Sequence, residues 1–398
     1  MTGLGCICAM AALLLAGCGS PPPINEILFL ETPRGIAVVR AGAGAPTFAA
    51  AGGVPSRDWS RVVQTSWKRP TTRVSAFIPA SGTKLWSSRI PGNLRTKVVS
   101  EDGNLAVLGP ARERHYTQGR SHTRLVVAAS REASREFHLR GNFEPEAFST
   151  DGDNIFVLQY RPARAPKSYQ VRRLDLTTGK IHDVYTPDAH LQEAMRGDAR
   201  IQTVSPDGSY LYTLYTLRGS DGAHAFIHVL NLDEMWAHCI DLPDQFASAA
   251  SSTALTTTPS GDALYVANAG TGSIATVDPE SLSVVDTAQV EFGKPRPTSG
   301  VVAGDTLYLA NQSSLSAVDL ERMSIRKAWN LSERISGLQV TKDGRHVYIG
   351  LKDRVVVLDG VTGKRLRTWD PPGVKRIGTL GRTTRTINDV PKGLDCAC

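Results

Sequence analysis

Arginine is the residue that could do chemistry in quantity along this chain. The segment GPARERHYTQGRSHTR sets Arg112, Arg114, His115, Tyr116, Arg120, His122 and Arg124 close together, with Glu113 the only acid among them. A second segment, YRPARAPKSYQ, adds Arg161, Arg164, Lys167 and Tyr169. A third, PDAHLQEAMRGDAR, offers His190, Glu193, Arg196 and Arg200 and has the composition of a helical turn. Guanidinium groups hold carboxylates and phosphates by paired hydrogen bonds, so a ligand of these segments would be anionic. The plain alternative is a set of solvated loops, which an arginine-rich chain of formal charge +7 shows somewhere without any ligand.

Catalysis has less to work with. No GxSxG elbow, HExxH pair, Walker loop or dinucleotide glycine fingerprint occurs. His224 and His228, in AHAFIHVL, fall on one face of a strand by period-two alternation and read as exposed strand histidines in preference to zinc ligands. Cys239 stands alone in WAHCIDL as a small buried hydrophobe, and Cys396 and Cys398 end the chain in a CxC that reads as an exposed tail. Cysteines this sparse give no disulfide framework. Neither a cofactor nor a metal is expected.

The elements that must position the arginines come from a repeat. A turn glycine is followed four residues later by an apolar or aromatic residue: Gly103 and Val107, Gly152 and Phe156, Gly208 and Tyr212, Gly261 and Tyr265, Gly304 and Tyr308, Gly344 and Tyr348. SRDWSRVV, with Trp59 and Val63, is a degenerate copy. Successive anchors lie 40 to 56 residues apart, and a period of roughly 40 to 50 residues built from four short strands is that of a β-propeller blade. The innermost strand, A, precedes the SPDG-like turn and strand B follows it. Strand C often closes on an aspartate, as at Asp175, Asp278, Asp319 and Asp359, before strand D.

TVSPDGSYLYTLYT, LYVANAGTGSIATVD and LYLANQSSLSAVDLE resemble the YVTN-type propeller repeats of bacterial proteins, relatives of the WD40-like and NHL-like propellers. The resemblance implies an all-β scaffold and no particular activity. Rings of this type are usually seven-bladed, so the expected fold is a seven-bladed β-propeller with an extra N-terminal hairpin over ILFLETPRGIAVV. The alternative is an eight-bladed ring, closed by N-terminal C and D strands and by C-terminal A and B strands from RIGTL and TRTIN. That eight-bladed closure would pair both chain ends and hide sheet edges that otherwise invite aggregation.

B to C and D to A loops leave a propeller on one face, and the basic segments are these loops in blades 2 to 4. Irregular loops on a rigid scaffold commonly carry binding residues. A propeller enzyme would instead gather acids at the central channel. The A strands read TKVVS, EPEAFS, RIQTVS, TALTTT, SGVVA and GLQVT, with only Glu144 and Glu146 as acids. A hard cation such as calcium takes six or more oxygen ligands, which this set does not supply. The expected function is therefore a binding or scaffold module; the alternative is an extracytoplasmic lyase, lactonase or dehydrogenase with a channel site.

The N-terminus gives the expected address. An apolar run from Ala9 to Leu15 ends in LAGC and resembles the bacterial lipobox, which implies cleavage before Cys18 and lipidation of its thiol. The run is too short for a bilayer core of about 30 Å. The expected organisation is a signal peptide over 1–17, a lipidated tether over 18–25, one propeller over 26–390 and a tail over 391–398. The partners expected are the membrane, through lipid on Cys18, and an envelope polyanion or another protein. Nucleic acid is not expected outside the cytoplasm.

Overall fold

In repeat after repeat, one hydroxyl organises the inner turn. Ser56, Ser100, Ser149, Ser205 and Thr341 each donate to the aspartate two residues on, at 2.5 to 2.7 Å. The same oxygens accept the backbone N–H five residues on, at 2.9 to 3.0 Å. That closes a tight A–B hairpin in which the fourth residue needs positive φ, as at Gly103 and Gly208. Blade 1 places Trp59 there, with φ of 63°.

The computed structural model describes residues 26–186, 195, 199–219, 222–248, 252–292, 298–371 and 373–382. They form eight four-stranded antiparallel sheets, each one blade. Blade 1 comprises Val54–Pro55, Val62–Lys68, Thr71–Ile78 and Thr83–Pro91, and blade 2 comprises Leu94–Val99, Leu105–Pro110, His122–Ala129 and Arg135–Arg140. Blade 3 runs from Asn142–Phe148 to Ile181–Asp183, and blade 4 from Ala199–Val204 to Ala237–Leu242. Among the described residues no helix is long and apolar enough to cross a membrane.

Eight blades replace the seven expected. The N-terminus contributes three strands, Glu26–Thr32, Gly35–Arg40 and Phe48–Ala51, as B, C and D, where the sequence suggested only C and D. A single C-terminal strand, Arg376–Arg382, then supplies A and pairs with Glu26–Thr32, so Ile27 faces Gly381 and Glu31 faces Arg376. The third strand, FAAA, carries little β-propensity of its own and is held by pairing with Gly35–Val38. TRTIN lies outside the described residues. Every described strand of the ring falls between residues 26 and 382.

Neighbouring blades share their cores. Val63, Val74 and Ala76 of blade 1 pack on Leu94, Ala106 and Leu108 of blade 2. Tyr348, Val355 and Val357 of blade 7, which runs from Gly337–Val340 to Arg365–Trp369, pack on Leu28, Leu30 and Val39 of blade 8, the closing sheet of Arg376–Arg382 and the three N-terminal strands. Each fully buried aliphatic side chain contributes about 1.5 to 3 kcal/mol. No blade has a core without its neighbours, so the loops sit on a rigid ring.

Candidate functional site

Two arginine loops meet because a glycine lets them. The blade 2 B–C loop turns at Gly119, with φ of 73°, where an added Cβ would lie 2.2 Å from the Arg164 carbonyl oxygen of blade 3. Arg120 N–H then donates to the Ala163 carbonyl at 2.9 Å. The result is a cavity of about 770 Å³ on the B–C face, with Arg112, Arg114, Arg120, His122, Arg124 and Arg164 in its wall.

Those groups do different work. Arg120 is nearly buried and bonds Glu113 at 2.6 Å, Asn142 Oδ1 at 2.8 Å and the Phe143 carbonyl at 2.6 Å. Glu113 also takes Lys97 at 3.1 Å, so this carboxylate braces the loop from both sides. Arg124 makes a two-point pair with Glu136, at 2.7 and 2.9 Å, and that pair raises the arginine's affinity for its proton and lowers that of the carboxylate. Arg112, Arg114 and Arg164 are exposed and form no ion pair among the described residues. Three free guanidinium groups thus surround a braced wall.

The remaining sequence-selected residues lie elsewhere. His115 lies tilted against Tyr116, ring centroids 4.1 Å apart, and Tyr116 stacks on Tyr160 at 4.4 Å, the start of an aromatic row that continues through Tyr169 and Tyr215. Their role is packing between blades 2, 3 and 4. Arg161 donates to Gln159 at 3.0 Å, and Lys167 is exposed away from the cavity wall. Arg196 and His190 lie outside the described residues, and of Arg200 only the strand position opposite Tyr215 is described.

The central channel, about 750 Å³, carries more charge than the A strands suggested. Aliphatic and amide side chains such as Ile201, Leu255, Gln202 and Gln339 line its length, while Arg57, Asp58 and Glu101 enter from the A–B turns to join Glu146. Burial lowers the Arg57 proton affinity to about 10, against the pull of Glu146 and Glu101. Burial, then Asp58, raises Glu101, with Arg57 opposing. The missed signal is the second turn position, where SRDW and SEDG carry charge and SPDG carries proline. Among the described residues no group of three or more His, Cys, Asp or Glu could hold a metal.

His228 corrects another expectation, because it is buried while His224 is exposed. It faces Cys239 across the C and D strands of blade 4, beside a cavity of about 120 Å³. Burial, then Asp241, pushes the Cys239 thiol up to about 12, so it is a poor nucleophile. Burial, then His238, pushes His228 down from 6.5 to about 4. Between those values the unfolded chain binds more protons, so stability falls as pH drops through that window. Urea unfolding at pH 7 and 4.5 should show roughly 2 to 3 kcal/mol lost through this group, and His228→Gln should remove that part of the slope.

Comparison with known proteins agrees with the architecture. The structure is similar to apo AztD from Citrobacter koseri, at 12% identity over 89% of this chain and 97% of that one, with a TM-score of 0.54. It is also similar to dihydro-heme d1 dehydrogenase NirN in complex with DHE, at 14% identity over 90% of this chain and 75% of that one, with a TM-score of 0.52. At these identities the likeness is one of fold. No curated protein sequence matches the chain. Residues 70–369 match the profile of a family described as outer membrane protein assembly factor BamB, and by that match the chain belongs to this family of β-propellers.

Proposed function

We propose that this protein is an extracytoplasmic binding module whose blade 2 and 3 loops hold an anionic group, presented by a small ligand or a partner protein. The observation that carries the reading is the set of Arg112, Arg114 and Arg164, exposed and without an ion pair among the described residues, around one cavity whose wall is fixed by Glu113 and Arg120. Exposed guanidinium forks pair with carboxylate or phosphate by two-point hydrogen bonds. Membership of a family named for an outer membrane assembly factor supports both the address and a scaffold role. In the same reading Cys18 carries a lipid anchor facing the periplasm or cell exterior, and the SPDG and DxxTG turns are of the YVTN type.

Thermal unfolding with inorganic polyphosphate and with poly-glutamate tests this. Wild type should gain stability as RT ln(1 + [L]/Kd), about 2.7 kcal/mol at one hundred times Kd. A variant with Arg112→Ser, Arg114→Ser and Arg164→Ser should melt where wild type does without ligand and lose most of the gain. Equal responses of the two proteins would refute the groove as the site.

A second reading is a channel enzyme. It is favoured by the mixed-charge mouth at Arg57, Glu101 and Glu146 and by a fold shared with a protein that is itself a dehydrogenase. A ligand response that survives the triple arginine variant but is lost on Arg57→Gln would select it.

A further inference from the structure

A second cationic surface lies one blade away and has a different character. From Trp59 to Ser100 the chain holds eight Lys or Arg and no Asp or Glu. The whole protein has a formal charge of +7, so the +8 of these 42 residues leaves −1 for everything else. The basic character of the protein is that of blade 1 and the strand after it.

Placement is as uneven as composition. Strands Val62–Lys68 and Thr71–Ile78 meet at a hairpin whose tip holds Trp67, Lys68 and Arg69, all exposed, with the tryptophan 53% accessible. Below the tip, the ladder sets Arg73 directly opposite Arg89, and Ser66 completes the row. Both arginines are exposed and neither forms an ion pair among the described residues. Like charges directly opposite weaken a sheet, so this pair costs stability until an anion covers it.

The row lies on the face that looks toward blade 8, as the 5.6 Å contact of Phe77 with Phe48 shows. The outer strand of blade 8 has four residues and that of blade 1 has nine. Blade 8 therefore stops short, and the B–C end of this face stays open. Its cations are spread along a row and a tip, and at the tip Trp67, opposite Thr72, projects from the other side of the same hairpin. A small anion needs convergent donors, whereas a lipid surface offers many phosphates in a plane and a headgroup layer suited to tryptophan.

We propose that blade 1 docks on an anionic lipid bilayer, with Trp67 at headgroup level and Lys68, Arg69, Arg73 and Arg89 against lipid phosphates. Each such cation strengthens membrane partitioning about fivefold, an effect that salt screens. The surface is separate from the blade 2 and 3 groove and acts whether or not that groove binds an anion.

Vesicle flotation tests it, using the chain from Gly19 onward, which holds every described strand of the ring. Wild type should float with phosphatidylcholine–phosphatidylglycerol vesicles at low salt, float less as salt rises, and stay behind with phosphatidylcholine alone. The combination Lys68→Ser, Arg69→Ser, Arg73→Ser and Arg89→Ser should lower partitioning about a hundredfold or more. Trp67→Ser alone should lower it severalfold, and the Arg112, Arg114 and Arg164 variant should float like wild type. No binding to the anionic vesicles, equal binding to both compositions, or undiminished binding of the fourfold variant overturns the proposal. The first of these is the result expected if the surface serves an acidic protein instead.

Discussion

Replacing Trp59 by alanine should lower the free energy of unfolding by about 3 to 5 kcal/mol, the range for deleting a buried aromatic side chain. Trp59 is only 5% accessible and packs with Phe29, Ile36, Val38, Ala50 and Val62, residues of blades 8 and 1. An added Cβ on Gly378, in the C-terminal strand, would lie 2.1 Å from the indole, so the glycine exists to admit this ring. Arg376, two residues earlier, places its guanidinium 5.7 Å above the same ring. One side chain thus ties the last described strand to the first blade formed from one continuous stretch of chain. Since Trp59 also has positive φ, Trp59→Gly should be about 1 kcal/mol less damaging than Trp59→Ala, because glycine tolerates that backbone. Urea unfolding of the two variants decides this. If both are within 1 kcal/mol of wild type, the indole does not hold the seam.

The ring was legible from its turns because hydroxyl, aspartate and glycine act locally. Each SPDG-like segment closes its own hairpin by bonds within five residues, and short-range patterns survive in a sequence. Closure was less legible, since it joins Glu26–Thr32 to Arg376–Arg382 and no local pattern says which chain end lends how many strands. FAAA looks like a loop until its partner strand is known. The cationic groove was half legible. Composition pointed to blades 2 and 3, and the structure brings Arg112, Arg114, Arg120, Arg124 and Arg164 to one wall. What composition could not do was separate the free guanidiniums from the engaged ones. Glu113 and Glu136 decide that, and only geometry shows that Glu113 reaches Arg120 and Lys97 while Glu136 reaches Arg124. His228 and Arg57 escaped for the same reason, because burial belongs to the ring and not to the segment.

Glu113→Gln separates the two ways of reading that groove. Point charges alone predict that removing a carboxylate from a cationic wall tightens anion binding. The geometry predicts the reverse. Arg120 and Glu113 are 8% and 11% accessible, and removing one partner of a pair this buried costs about 3 kcal/mol or more, because the other is left without its counter-charge. Glu113 sits between Arg112 and Arg114 in sequence, so loosening its side chain frees the backbone that aims both guanidiniums. The expected result is a loss of stability near 3 kcal/mol together with weaker polyphosphate binding, by about tenfold, measured where the variant is still folded. Arg120→Gln should cost at least as much, since Glu113 keeps Lys97 but Asn142 Oδ1 and the Phe143 carbonyl lose their donor, and adding it to Glu113→Gln should cost less than the sum, with a coupling of about 1 kcal/mol or more. Tighter binding by Glu113→Gln at unchanged stability would show that the pair is no brace, and that the arginines of this face act as a diffuse field.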